Sequence, residues 1–207
     1  GTATQTQQTQ PPEYAGLDDV EDFVSAILGS TETVWNEVFA SSGRTYQPAD
    51  LVLFTGFTDS ACGGANTQVG PHYCPLDKTI YIDREFYGEL ERRFGASGGD
   101  FAEAYVVAHE VAHHVQNELG VMDEVRSAQQ SDPNNRNDYS VALELQADCL
   151  AGVWANYIFQ LGDVLERGDI EEALNAAAAV GDDRIQQATQ GQITPETWTH
   201  GSSQQRV

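Results

Sequence analysis

The strongest constraint on how this chain folds is one long helix whose two ends are written into the sequence. Asp100, with Glu103 three residues on, has the spacing of a capping box, and Gly120 follows the last apolar position. Between these signals Phe101, Tyr105, Ala108, Ala112, Val115 and Leu119 recur at helical spacing and predict a face turned to the core. The string HEVAH occupies 109–113, in the middle of that helix. His109 and His113 therefore stand one turn apart on one face, with Glu110 projecting beside them.

Such a helix needs partners, and the flanking patterns supply them. LDDVEDFVSAIL and TETVWNEVFA, from Leu17 to about Ala40, predict two short amphipathic helices parted at Gly29 and Ser30. LVLFT at 51–55, after Pro48, suits a buried strand, and TIYID at 79–83 alternates faces like a second. Residues 86–94 are expected to be helical, and SGGD then breaks the chain. The turn-rich SDPNNRND precedes a helix from about Tyr139 to Leu161; Asp169 with Glu172 opens an Ala-rich helix, and DDRIQQATQ predicts one more. The expected class is α+β, mostly helical, with a small sheet packed on the HEVAH helix. Residues 1–16, rich in Thr and Gln and interrupted by Pro11 and Pro12, read as a disordered linker, and 17–207 as one domain.

Charge narrows the partners. The formal net charge of the 207 residues is -22, and Lys78 is the one lysine, so no basic stripe exists to neutralise a phosphate backbone and no nucleic-acid partner is expected. An acidic shell of this kind suits a secreted or salt-exposed protein. An EF-hand loop of the DxDxDG type is missing from the sequence, which argues against a calcium-binding surface protein. Among three cysteines, Cys62 and Cys74 flank a short Gly-rich stretch and are expected to pair, which implies an oxidising compartment; the alternative is two reduced loop thiols. Cys149, within a helical pattern, is expected to be reduced and buried.

The chemistry starts from the histidine pair. Two imidazoles one turn apart can grip one metal ion, and a carboxylate beside them can take a proton from water and pass it to a leaving amine, the division of labour in zinc-dependent hydrolysis. A catalytic zinc needs a third protein ligand and an open position for water. Glu144 and Asp148, one turn apart in the largely apolar LELQADCLAGVW, are the candidates: Glu144 to bind the metal, Asp148 to hydrogen-bond a ligand histidine and fix its tautomer.

CGGANTQVGPHYCPLDKTIYID, HEVAHHVQ, ELQADCLAGVW, GDDRIQ and THGSSQQR, in this order along the chain, together resemble the bacterial neutral zinc metallopeptidase family, a gluzincin-like group. The resemblance covers roughly Leu17 to Val207 and implies a zincin-like fold, one Zn2+ per chain on His109, His113 and Glu144, Asp148 behind them, and Glu110 as general base. It further implies a peptide or protein substrate and an extracytoplasmic protein, secreted or anchored to the membrane by an N-terminal segment. Ala112 stands where the family usually has glycine, and His72 where it has phenylalanine; His72 is either an extra ligand or an exposed loop residue. His114 faces away from the metal side by helix geometry and is expected to play a polar supporting role. His200, in the Gly/Ser-flanked THGSS, is the candidate donor to the oxygen that gains negative charge in the transition state, with Tyr139 and Tyr157 as rivals. The TIYID strand is expected at the sheet edge, pairing with an extended peptide. The competing reading is a zinc-binding interaction or chaperone-like module without catalysis, although a site of that kind has no use for Glu110.

Overall fold

In the computed structural model, the described residues are 17–66, 70–86, 88, 100–161 and 168–207. Helix α1 spans Leu17–Ser41, strands β1 to β5 span Asp50–Phe54, Phe57–Ser60, Gly63–Asn66, His72–Cys74 and Thr79–Asp83, and helix α2 spans Asp100–Glu118. Helices α3 (Val121–Ser131), α4 (Arg136–Leu161), α5 (Asp169–Ala179) and α6 (Asp182–Gln190) follow. The class is α+β and mostly helical, as the periodicities predict. The linker at 1–16 and most of the helix expected at 86–94 lie outside the described residues.

Helix α2 is the axis of the molecule. All but one of its residues from Phe101 to Gln116 are buried, because α1, α4, α5 and β4 pack around it. The single stripe expected from the sequence is thus widened to nearly the whole circumference, while Leu119, counted in that stripe, lies past the helix end and is 41% exposed. Trp154 on α4 fixes the arrangement: it stacks on Phe101 at 5.8 Å and its indole N–H donates to Ser30 Oγ at 3.0 Å. That contact also explains why α1 is one helix and not two. Ser30 and Thr31 donate their hydroxyls back to the carbonyls of Ile27 and Leu28, both at 2.7 Å, so the polar side chains are satisfied without breaking the helix.

The sheet has the order β1-β5-β4, with β1 parallel and β4 antiparallel to β5. TIYID is therefore the central strand and not an edge, and all five of its residues are buried. Ile80 and Ile82 face the main core with Val107 and Val111, whereas Tyr81 packs with Phe54, Ala65 and Cys74 beneath the β2–β3 hairpin. With neighbours on both sides its main-chain groups are already paired, so it cannot add a peptide strand.

Cys62 and Cys74 form a disulfide, with Cα atoms 5.8 Å apart. Asp77 ties the same loop to the sheet by accepting from Ala61 N–H at 2.9 Å, Thr79 N–H at 3.1 Å and Tyr81 O–H at 2.9 Å. Cys149 corrects the sequence reading: its thiol is free but exposed, since the buried stripe of α4 runs through Ala147, Ala151, Trp154 and Ile158 and Cys149 lies off it. Cys62 is exposed and Cys74 fully buried, so Cys62→Ser removes the bond without placing a hydroxyl in the core. Urea denaturation of Cys62→Ser is expected to show a loss of roughly 3 kcal/mol, the chain-entropy cost of reopening a loop of this length.

Candidate metal centre

The helical turn between His109 and His113 sets their rings edge to face, with centroids 4.8 Å apart. Helix α4 crosses this face and delivers Glu144 between them: its Oε2 lies 3.2 Å from His109 Nε2 and its Oε1 3.4 Å from His113 Nε2. The candidate ligand atoms of the three residues all fall within 4.8 Å of one another. Glu110 is 7% exposed and near enough for its charge to act on His109.

The far sides of both rings face polar partners, His113 through a hydrogen bond and His109 through a close charge contact. Gln116, fully buried, donates its amide to Leu143 O at 2.8 Å and Gln146 Oε1 at 2.9 Å, which turns its own Oε1 toward His113 Nδ1 at 2.8 Å. An amide oxygen only accepts, so Nδ1 of His113 carries the proton and Nε2 presents its lone pair beside Glu144. On His109, Asp148 Oδ1 stands 2.9 Å from Nδ1, an approach too oblique for a well-formed hydrogen bond but close enough for a strong charge interaction. Asp148 accepts in turn from Tyr105 O–H, from Arg206 Nε at 2.9 Å and from Arg206 Nη2 at 2.9 Å.

The electrostatics favour a cation. Burial alone would lower the proton affinity of His109, yet Asp148 and Glu144 hold its pKa up to about 10. Burial would raise Glu144, but the two imidazoles keep its carboxyl well below the usual range, and Asp148 is held at about 2 against its own burial by His109 and Arg206. The two carboxylates thus favour positive charge beside His109, which a metal cation supplies as well as a proton does. Two imidazole nitrogens and a carboxylate oxygen, converging in a buried site with their outer nitrogens held, fit zinc.

His200 lies near enough for the charge of Glu144 to act on it. Asp182 at the start of α6 accepts the backbone N–H groups of Thr199, His200 and Gly201 at 2.8, 2.6 and 3.0 Å, and its Oδ1 lies 3.2 Å from His200 Nδ1. Asp182 raises the pKa of His200 against the opposing effect of burial, and the charge of Glu144 adds to it. The side chain is half exposed, with Nδ1 engaged and Nε2 on the other side of the ring. The two rivals lie elsewhere: Tyr139 reaches toward Asp132 at 3.5 Å, and Tyr157 packs against the main core. His114 is fully buried and bridges Tyr73 O–H, at 3.0 Å, and Gln47 O, at 2.6 Å, the polar role expected of it. His72 stacks on Tyr81 and is not in the converging group.

Three residues of this arrangement escape the sequence reading. Gln116 had a signal, its spacing of three from His113 on one helix. The spacing of Tyr105 marks it as core, and nothing in the sequence points its hydroxyl to a partner on α4. Arg206 had no signal, because it meets Asp148 across 58 residues from a segment without periodicity.

A histidine pair on one helix, completed by a glutamate from a second, is the donor set of the glutamate-type zinc hydrolases. The family profile described as "Putative neutral zinc metallopeptidase" matches residues 1–207, and the chain belongs to that family. It is 48% identical over 207 residues to "Uncharacterized protein YpfJ" of Escherichia coli (strain K12), which covers all of this chain and 71% of that protein. It is 47% identical over 192 residues to "Uncharacterized protein Rv2575" of Mycobacterium tuberculosis (strain ATCC 25618 / H37Rv), covering 88% of this chain and 63% of that protein. No solved structure matches.

Proposed function

We propose that the chain is a zinc-dependent endopeptidase that hydrolyses peptide bonds in peptides or proteins. The observation that carries this reading is the convergence of one ligand atom each of His109, His113 and Glu144 within 4.8 Å, with Nε2 of each histidine beside Glu144 and the outer ring nitrogens facing Asp148 and Gln116. Bound by these three residues, zinc would lower the pKa of a water toward neutrality and polarise the scissile carbonyl. Glu110, buried next to His109 on α2, takes the proton from the attacking water and returns it to the leaving amine. Gln116 holds the ring of His113 and Asp148 that of His109, so neither must reorganise during turnover.

His200 donates to the carbonyl oxygen as its charge develops. With Nδ1 on Asp182, the ring donates from Nε2 when it is protonated, and Asp182 favours that form. His200→Ala, with zinc content intact, is expected to turn over about a hundredfold more slowly, the usual cost of one such donor. In the wild type the same contribution is present while His200 is protonated and is lost as pH rises through its raised pKa. A near-normal rate for His200→Ala would remove it from the mechanism.

The Cys62–Cys74 bond supports an extracytoplasmic location, where disulfides persist. No helix among the described residues is long and apolar enough to cross a membrane, so membrane attachment would fall to another segment. The test of the function is cleavage of casein by purified protein of measured zinc content: a chelator abolishes it and added zinc restores it. Stoichiometric zinc without cleavage would instead support a zinc-binding interaction module.

A further inference from the structure

Two of the strings that accompany HEVAH, GDDRIQ at 181–186 and THGSSQQR at 199–206, contain no metal ligand, and one contact explains both. Residues 199–206 are clamped onto the start of α6. Asp182 takes three consecutive backbone N–H groups from them, and Asp183 takes Ser203 N–H at 2.6 Å and Ser203 O–H at 2.7 Å. The approach is so close that a Cβ at Gly181 would stand 2.3 Å from Ser203 N, which only glycine permits. At Gly201, where φ is +92°, the segment turns against Val141 and Leu145 of α4, on either side of Glu144. It then delivers Arg206, 6% exposed, to the rear of Asp148.

We infer that Arg206 is a positioning residue for the metal: it clamps Asp148 so that Asp148 orients His109, and the 181–183 and 199–203 contacts exist to place it there. The guanidinium meets both carboxylate oxygens of Asp148 in the fork geometry that only arginine offers, and its Nη2 also approaches Tyr105 O–H at 3.3 Å. Tyr105, one turn before His109 on α2, donates to the same carboxylate. Asp148 is thereby fixed from two directions, by α2 and by residue 206. That matters because its hold on His109 is a short, oblique contact: a carboxylate free to rotate would turn away from Nδ1, and the imidazole would lose its reference.

The inference rests on the metal reading above, so the experiment starts with wild type. Zinc affinity is measured by competition with a chromophoric chelator, and ligand geometry by the visible spectrum of the Co2+-loaded protein. Arg206→Ala is expected to bind zinc about 10- to 100-fold more weakly, the usual cost of losing an outer partner, with an altered cobalt spectrum and unchanged circular dichroism. In an Asp148→Asn background the same change is expected to cost less than about twofold, since the carboxylate it acts through is gone. Arg206→Lys, which keeps the charge but not the fork, is expected to lose at least about threefold and to shift the spectrum, and it decides the matter if the alanine variant does not fold. Wild-type zinc affinity and cobalt spectrum retained in Arg206→Lys, or equal losses from Arg206→Ala in both backgrounds, overturn the inference while leaving the zinc site standing. A wild type that binds no zinc overturns the reading beneath it.

Discussion

Glu110→Gln is expected to bind zinc as tightly as the wild type and to cleave casein at least a hundredfold more slowly. The substitution preserves size and hydrogen-bonding reach but removes the basic oxygen, and a positioned general base contributes roughly 10²- to 10⁴-fold to a proton-transfer step. Glu110 is not among the three residues whose donor atoms converge, so the metal should be indifferent to the change. Its buried place on α2 beside His109 leaves little room for solvent to substitute as base. The readout is paired: zinc content by metal analysis and casein turnover on the same samples. Loss of both together would mean that Glu110 serves the metal and not the chemistry, while retention of turnover would move the base to another residue. Zinc binding without cleavage even in the wild type would favour the non-catalytic module.

The parts of the molecule that sequence foretold are those set by local geometry. His109, His113, Glu144 and Asp148 sit at one-turn spacings on two well-marked helices, and a helix fixes the relative position of such pairs before any tertiary contact forms. Their meeting across α2 and α4 followed from chemical complementarity, two imidazoles lacking a third ligand and an acidic pair on an apolar helix lacking a reason to be buried. Errors arose where a distant element decided the outcome. TIYID alternates as a half-exposed strand would, but β1 and β4 pair with it on both sides and the hairpin Phe57–Asn66, whose second strand is GGAN and has no apolar pattern, covers its outer face around Tyr81. Gly29 and Ser30 read as a break until Trp154, 124 residues on, supplies the partner that keeps Ser30 inside the helix. Helix α3 goes unpredicted although it is legible: Val121, Met122, Val125 and Ala128 recur at helical spacing and form its half-buried face, with Met122 against the main core. The exposure of Cys149 is legible in the sequence: the spacing of Ala147, Ala151 and Trp154 places it off the buried stripe.

Glu144→Ala is expected to lose zinc far more completely than any of the outer-partner variants, by well over the roughly hundredfold that those cost. Of the converging donors Glu144 is the only anion, and it stands between the two histidines with one oxygen toward each. Without it the site is reduced to two neutral nitrogens, one short of the three protein ligands that a catalytic zinc takes. Its carboxyl is held well below the ordinary range by the same two imidazoles, against the effect of burial. The measurement is chelator competition alongside casein cleavage, with thermal unfolding of the zinc-free proteins as the control for folding. Without metal the variant need not be much less stable than wild type, because the substitution relieves a buried carboxylate as well as breaking its contacts. The zinc-dependent rise in melting temperature expected of the wild type, through preferential binding to the folded chain, should disappear. Unchanged affinity would exclude Glu144 as ligand and point to Asp148, whose Oδ1 already lies 2.9 Å from His109 Nδ1. In that case His109 would bind through Nδ1, and its Nε2 would face Glu144 as the outer partner, an exchange of roles that the cobalt spectrum of Asp148→Asn would report.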